Sequence, residues 1–453
     1  MKASNDLTVG KPIKVILLFT LPIIAGNLFQ QLYNVIDTVI VGHILGEDAL
    51  AALGATSAVY SLFTSIAYGM TNGFSIIIAR HFGGKDFNRM NRAVAHTMIL
   101  SVVLGLVMTV IAVAFIRPLL IFLRTPDEIL EQAYRYIRIV LLFLIVTMIY
   151  NMFAAILRGI GNSFMPLVFL IISSVCNVGL DILLVGFAGM GVEGASTATV
   201  IAQLISVILC AVYLVVRCPQ IHIRKSDFHW NAKIGGDLFT AGLSMAMMFS
   251  VVSVGSIALQ SAINSLGAIT IAAHTAARKI SELLMMAFSS LSMTASTFAS
   301  QNLGAGKRER IGQGMRATFI LAFVIVVLEN IFIFATAEPL VKMVTGSGNQ
   351  QLIDTAVYYL HINLPFYPAL AILVILRSAL QGLNHKKLPL VASTIELVGK
   401  FVVAGLLVPR IGYLGICISE PVIWIIGGIV VSVDYYLVKK QFRSDRFKDN
   451  PIA

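Results

Sequence analysis

The chain has 453 residues, 58% of them hydrophobic and only 12% charged, with a mean hydropathy of +0.88. Soluble chains carry about a quarter charged residues, so this composition excludes a water-soluble globular protein and points to one that lives in lipid. The formal charge of +11 is spread over short loops, none large enough to form a basic domain that would grip a nucleic acid.

Twelve apolar stretches approach or exceed the ~20 residues that a spanning helix needs. They run near 13–42, 49–79, 93–116, 129–157, 164–187, 192–216, 237–262, 269–300, 317–336, 351–381, 388–409 and 414–438. The first is too long for a cleavable signal and has no small-residue cleavage pattern, so it is expected to stay in the mature chain. Placing alternate loops on opposite sides gathers 23 of the 33 Lys and Arg on one side, from Lys2 and Lys85 through Arg224, Lys307 and Lys386 to Arg446 and Lys448. The other side keeps Arg117, Arg124, Lys342 and Arg410. The positive-inside rule makes the first side cytoplasmic, with both termini there. Three of the four cysteines lie in predicted spans, and no pair has the placement for an external disulfide or the spacing of metal ligands.

The first span holds Pro22, Asn34 and, inside its apolar run, Asp37. A carboxylate at that depth costs at least ~2.5 kcal/mol by insertion scales, which marks it for an ion, a proton or a cationic ligand. Asp181 on the fifth span lies at a matching depth below the predicted outer end, ~7 Å at ~1.5 Å per residue. Asn177 shares its face four residues earlier. Thr199 on the sixth span stands at nearly the same level. Two carboxylates, an amide and a hydroxyl make a hard-oxygen set suited to a proton or a small alkali cation. The bland alternatives are a capped kink at Asp37 and interhelical hydrogen bonds at the polar pair. Pro22 is expected to kink its helix.

The second half carries different charges. Arg278, Lys279 and Glu282 share the eighth span, and Glu396 and Lys400 the eleventh. Opposite charges four apart can neutralise each other on one helix, so structural pairing is expected there. Glu329 and Glu420 have no partner by spacing. Methionines such as Met247, Met248 and Met286 suit either packing or an adaptable binding surface. With Asn34 and Glu282 they are the candidate substrate contacts.

The chain also repeats itself at an offset of about 220 residues. Leu18-Phe19-Thr20 returns as Leu238-Phe239-Thr240, Pro166-Leu167-Val168 as Pro389-Leu390-Val391, and Gly191-Val192-Glu193-Gly194 as Gly412-Tyr413-Leu414-Gly415. The expected fold is an all-α membrane protein of twelve transmembrane helices. It is expected to form two six-helix bundles related by a pseudo-twofold axis along the membrane normal. The lobes are read as 1–216 and 237–453, joined by a cytoplasmic linker over 217–236. A cleft between lobes is where a substrate would be expected to bind. No filter-like motif supports a channel, and no nucleophile, metal or phosphate motif supports an enzyme.

Pro22, the run Gln31-Leu32-Tyr33-Asn34-Val35-Ile36-Asp37-Thr38-Val39-Ile40-Val41-Gly42, Ala49-Leu50-Ala51-Ala52-Leu53-Gly54, and Gly191 through Thr199 together resemble the multidrug and toxic compound extrusion (MATE) family. The resemblance covers essentially the whole chain and is nearest to the prokaryotic, DinF-like branch. It implies a V-shaped pair of bundles that exports cationic amphipathic drugs in exchange for H⁺ or Na⁺, with no other cofactor. By position it makes Asp37, Asn177, Asp181 and Thr199 the cation site, with any Na⁺ held there, and links Pro22 to bending of the first helix. A second branch keeps its cation site on acids of the seventh and tenth helices. Here the seventh has none and the tenth has only Asp354 at its outer start. The expected setting is a bacterial or archaeal inner (cell) membrane, with the chain acting as a monomer. A flippase for a lipid-linked precursor is the rival within the superfamily and would want a large basic cleft. A non-transporting receptor or scaffold is the rival outside it and would need no paired carboxylates.

Overall fold

A computed structural model describes residues 6–123 and 125–443. Lys2, Arg124, Arg446 and Lys448, four of the charges used to orient the chain, lie outside the described residues. The first half runs through α1 (Pro12–Leu45), α2 (Glu47–Gly83), α3 (Phe87–Phe122), α4 (Asp127–Leu142), α5 (Leu144–Gly159), α6 (Phe164–Asp181) and α7 (Gly191–Arg217). The second runs through α8 (Ala232–Asn264), α9 (Ala268–Gly304), α10 (Arg308–Thr345), α11 (Gln350–Asn363), α12 (Tyr367–Gly382), α13 (Lys387–Val402), α14 (Val408–Ile411) and α15 (Tyr413–Arg443).

Among the described residues, eleven spans are long and apolar enough to cross a membrane, and α4 with α5 makes a twelfth, bent by 47°. No proline or glycine stands at that bend, around Phe143, which is why the sequence reads it as one straight span. Between α11 and α12, by contrast, Pro365 lies within a short 3₁₀ turn, Leu364–Phe366, and Pro368 follows it in the first turn of α12, where a missing N–H cannot continue the ladder. The surfaces are apolar where a soluble protein would be polar. Val110, Phe122, Phe187 and Val215 are exposed, while Asp37, Asn177, Asp181, Lys400 and Glu420 are buried. That inversion is what lipid as a solvent requires.

The chain forms two compact units, one built from Leu21–Ala246 and the other from Leu7–Thr20 with the chain from Met247 onward. Thus α1 passes from one unit to the other beside Pro22, and α8 does so at Met247. In the first unit Phe74, Met90, Met148, Met152 and Ile156 pack with Leu238 and Ala241 of α8. In the second, Thr20 Oγ1 donates to Thr294 Oγ1 at 2.8 Å, and Leu7 N–H donates to Gln301 Oε1 at 3.1 Å.

The repeat is visible in the packing of each unit. A Cβ on Gly159 would lie 3.2 Å from the Ser75 carbonyl. A Cβ on Gly382, its counterpart, would meet the carbonyl of Ser296. Both units therefore use a small residue at the same place to bring two helix backbones together. Both also break a helix into a π segment, Ile182–Phe187 after α6 and Val403–Leu407 after α13. Such single-turn π segments recur at functional positions in α-helices.

Candidate functional site

Asp37 sits in the C-terminal half of α1, and Asp181 is the last residue of α6 before its π segment. Asp37 is 9% exposed and Asp181 0%, and the two carboxyls lie within hydrogen-bonding reach of each other. Asn177, one turn earlier on α6, is fully buried. Its amide orientation follows from its neighbours. Nδ2 donates to Asp181 Oδ2 at 2.8 Å, and Oδ1 accepts from the Thr199 backbone N–H at 3.2 Å. Thr199 Oγ1 donates to the Ala195 carbonyl at 3.1 Å and stands 3.4 Å from the Tyr33 hydroxyl.

The four residues read from the sequence as a cation site are thus one constellation on α1, α6 and α7. Half-buried tyrosines and an amide surround it, and the sequence reading did not single them out. Tyr60 hydrogen-bonds Gln203, whose Oε1 accepts from Thr147 Oγ1 at 2.6 Å. Tyr136 lies within electrostatic range of both carboxylates. Their signal was available, since polar aromatic residues recur inside otherwise apolar spans, where a hydroxyl needs a partner. Among the described residues no donor reaches Oδ1 of Asp37 or Oδ1 of Asp181, and both atoms are buried. Two like charges so close in a water-poor setting repel strongly. A proton or a small cation between them removes that repulsion and satisfies the oxygens.

The other candidate residues fall elsewhere. Asn34 is exposed, one turn from Asp37, and bonds along its own helix to Gln30 and Gln31. Met248 is buried and Met247 is 42% exposed. Met286 is half-buried on α9, and Pro22 is half-buried within α1. Glu282 lines a cavity of about 310 Å³ in the second unit.

Both same-helix pairs expected from spacing are present, and each is joined by a charge from another helix. Glu420 is paired: Arg278 Nη1 donates to its Oε1 at 2.7 Å, and Tyr359 donates to its Oε2 at 2.7 Å. The same-helix pair Arg278–Glu282 is looser, at 3.6 Å. Glu396 faces two bases, with Lys400 Nζ at 3.4 Å and Arg377 Nη1 at 3.2 Å. Spacing along one helix finds only neighbours on that helix, so partners contributed by α12 and α15 were out of its reach. Among the described residues Glu329 has no base in salt-bridge contact, and its Oε2 is buried with no hydrogen-bond donor.

The MatE family model matches residues 22–183 and 244–406. A probable multidrug resistance protein of Bacillus subtilis, YoeA, is 28% identical over 327 residues, 70% of each chain. A probable multidrug resistance protein of Thermotoga maritima, NorM, is 23% identical over 85% of this chain and 83% of its own. A solved MOP superfamily transporter from Pyrococcus furiosus shares the fold with a TM-score of 0.89 at 23% identity, over 97% of this chain and 98% of that one.

Proposed function

The chain belongs to the MatE family, and on that premise we propose that it is a secondary active antiporter for amphipathic organic cations. It exports them across the cell membrane as H⁺ or Na⁺ enters at Asp37 and Asp181. The observation that carries this reading is the contact between two buried carboxyls, each with an unsatisfied oxygen. A cation bound there stabilises whichever conformation holds α1 against α6. Its release lets the other conformation compete. Coupling then follows if the drug favours the opposite state, since a ligand with equal affinity for both states shifts nothing. The relatives named as multidrug resistance proteins support the choice of drugs as cargo.

Proteoliposomes test both the cargo and the ion. Loaded with a fluorescent cationic dye, they are given a pH gradient alone, then a Na⁺ gradient alone. Efflux under one of the two identifies the coupling ion. Dye retention under both gradients by a folded, correctly inserted protein would sink the proposal.

A further inference from the structure

The second unit holds a half-open cavity of about 310 Å³ between α8, α9, α11, α13 and α15. Its position is the repeat counterpart of the carboxylate site. Counted from the matched Pro166 and Pro389, Asn177 falls on Lys400; counted from Gly191 and Gly412, Thr199 falls on Glu420. Both counterparts line the cavity. Where the first unit has an amide and a hydroxyl beside two acids, the second has a buried ammonium and a buried ion pair.

The charges there do not balance. Glu420 spends one oxygen on Arg278 and the other on Tyr359. Among the described residues Glu396 is the one acid in salt-bridge contact with Arg377 and Lys400, with Glu420 reaching Lys400 only at longer range, and the side chains of Arg377, Glu396 and Lys400 are at most 9% exposed. Lys279 and Glu282 at the cavity's mouth are both exposed and offset each other. The surplus is therefore one positive charge, and Lys400 presents it to the cavity. Its ammonium has three donors. Its contacts with Glu396 Oε1 and Ser256 Oγ are both 3.4 Å, longer than the ~2.7–2.9 Å of a charge-assisted bond. Arg278 Nη2 is likewise 3.6 Å from Glu282, so the guanidinium keeps donor capacity. Leu259 and Ile263 supply an apolar wall.

We infer that this cavity binds the carboxylate of a small amphipathic anion, with Lys400 as its principal partner and Arg278 as its second. A free cation is disfavoured by the surplus charge, and a metal ion would find both oxygens of Glu420 already engaged. The volume is at the lower end of small-molecule pockets, which suits a single ring on a short acidic chain. The inference does not rest on ion coupling at Asp37, and Asp37→Asn should leave carboxylate binding unchanged.

Calorimetry on the full chain in nanodiscs tests it, with 3-phenylpropanoate as probe and 3-phenylpropylammonium as its charge-reversed control. The carboxylate should bind with one-to-one stoichiometry and the ammonium should not displace it. Lys400→Met should weaken binding roughly tenfold or more, the loss expected for a charged hydrogen bond, and Lys400→Arg should stay near wild type. Equal binding by Lys400→Met, or displacement by the ammonium, overturns the assignment. If Lys400→Met does not fold, a diazirine-bearing phenylpropanoate on the wild-type protein decides. Label on residues 256–263 or 274–282 supports the cavity, and label confined to other peptides refutes it.

Discussion

Asparagine in place of Asp37 keeps the side chain's shape and removes its charge, so it separates coupling from folding. Efflux driven by an ion gradient should fall to background for Asp37→Asn at wild-type expression. Asp181→Asn should impair transport with little change in melting temperature, because Asn177 can hydrogen-bond an amide oxygen as well as a carboxylate. Wild-type efflux by Asp37→Asn would move the coupling site elsewhere, with Glu329, whose Oε2 is buried, the next place to look. Glu396 behaves differently, since its removal strands two bases. Breaking a buried ion pair typically costs about 3–5 kcal/mol, so Glu396→Gln should lower the melting temperature markedly. Adding Lys400→Met should restore only part of it, because Arg377 stays uncompensated, and adding Arg377→Met as well should restore more. A double variant as stable as wild type would show that Arg377 carries no such burden. The contrast marks what the sequence could tell. Asp37 and Asp181 were legible because depth in an apolar span is a one-dimensional property. Arg377–Glu396 and Arg278–Glu420 were not, because those pairs exist only once α12 meets α13 and α9 meets α15.

Helix contacts in the first unit turn on small residues that composition alone passes over. Gly69 and Gly73 form a Gly-x-x-x-Gly face on α2, and a Cβ on Gly73 would come within 2.5 Å of Gly242 Cα on α8. Gly73→Val must therefore push two backbones apart, where overpacking costs about 1–3 kcal/mol. A fall in melting temperature for Gly73→Val, with no change for Gly54→Ala, is the expected result, since nothing lies within 4 Å of a Cβ on Gly54. Equal stability of the two variants would deny that α2 and α8 pack this closely. The motif itself was readable, but its partner on α8 was not. Hydropathy marked α8 as a span and could not say that its residues up to Ala246 pack with the first unit while Met247 onward packs with the second. Pro22 was visible as a helix-interior proline. Its place at the passage of α1 between units was not, because unit membership is decided by packing and not by any local preference.

At the scale of the molecule, the two-fold sequence repeat and the twelve hydropathic spans carried most of the fold, because both lipid and repetition impose one-dimensional patterns. The π segments and the bend at Phe143 left no such pattern. Orientation rests on loop charge, and it decides the direction of export, so it merits a direct measurement. The structure guides where to place the probes. Gly83 is buried, and Gly46 has φ +87°, which a cysteine would adopt only with strain. Gly84 and Glu47 are exposed at opposite ends of α2. In a background with Cys176 removed, the one native cysteine that is not buried, Gly84→Cys should react only with reagents that enter the cell. Glu47→Cys should react with a membrane-impermeant maleimide added outside. Ala268→Cys, exposed at the start of α9, should label like Glu47→Cys, since an even number of spans separates the two helix starts. Labelling of Gly84→Cys from outside would invert the topology and turn the proposed exporter into an importer. Opposite behaviour of Glu47→Cys and Ala268→Cys would instead make the two repeats antiparallel, and the expected symmetry axis along the membrane normal would have to be replaced by one in the membrane plane.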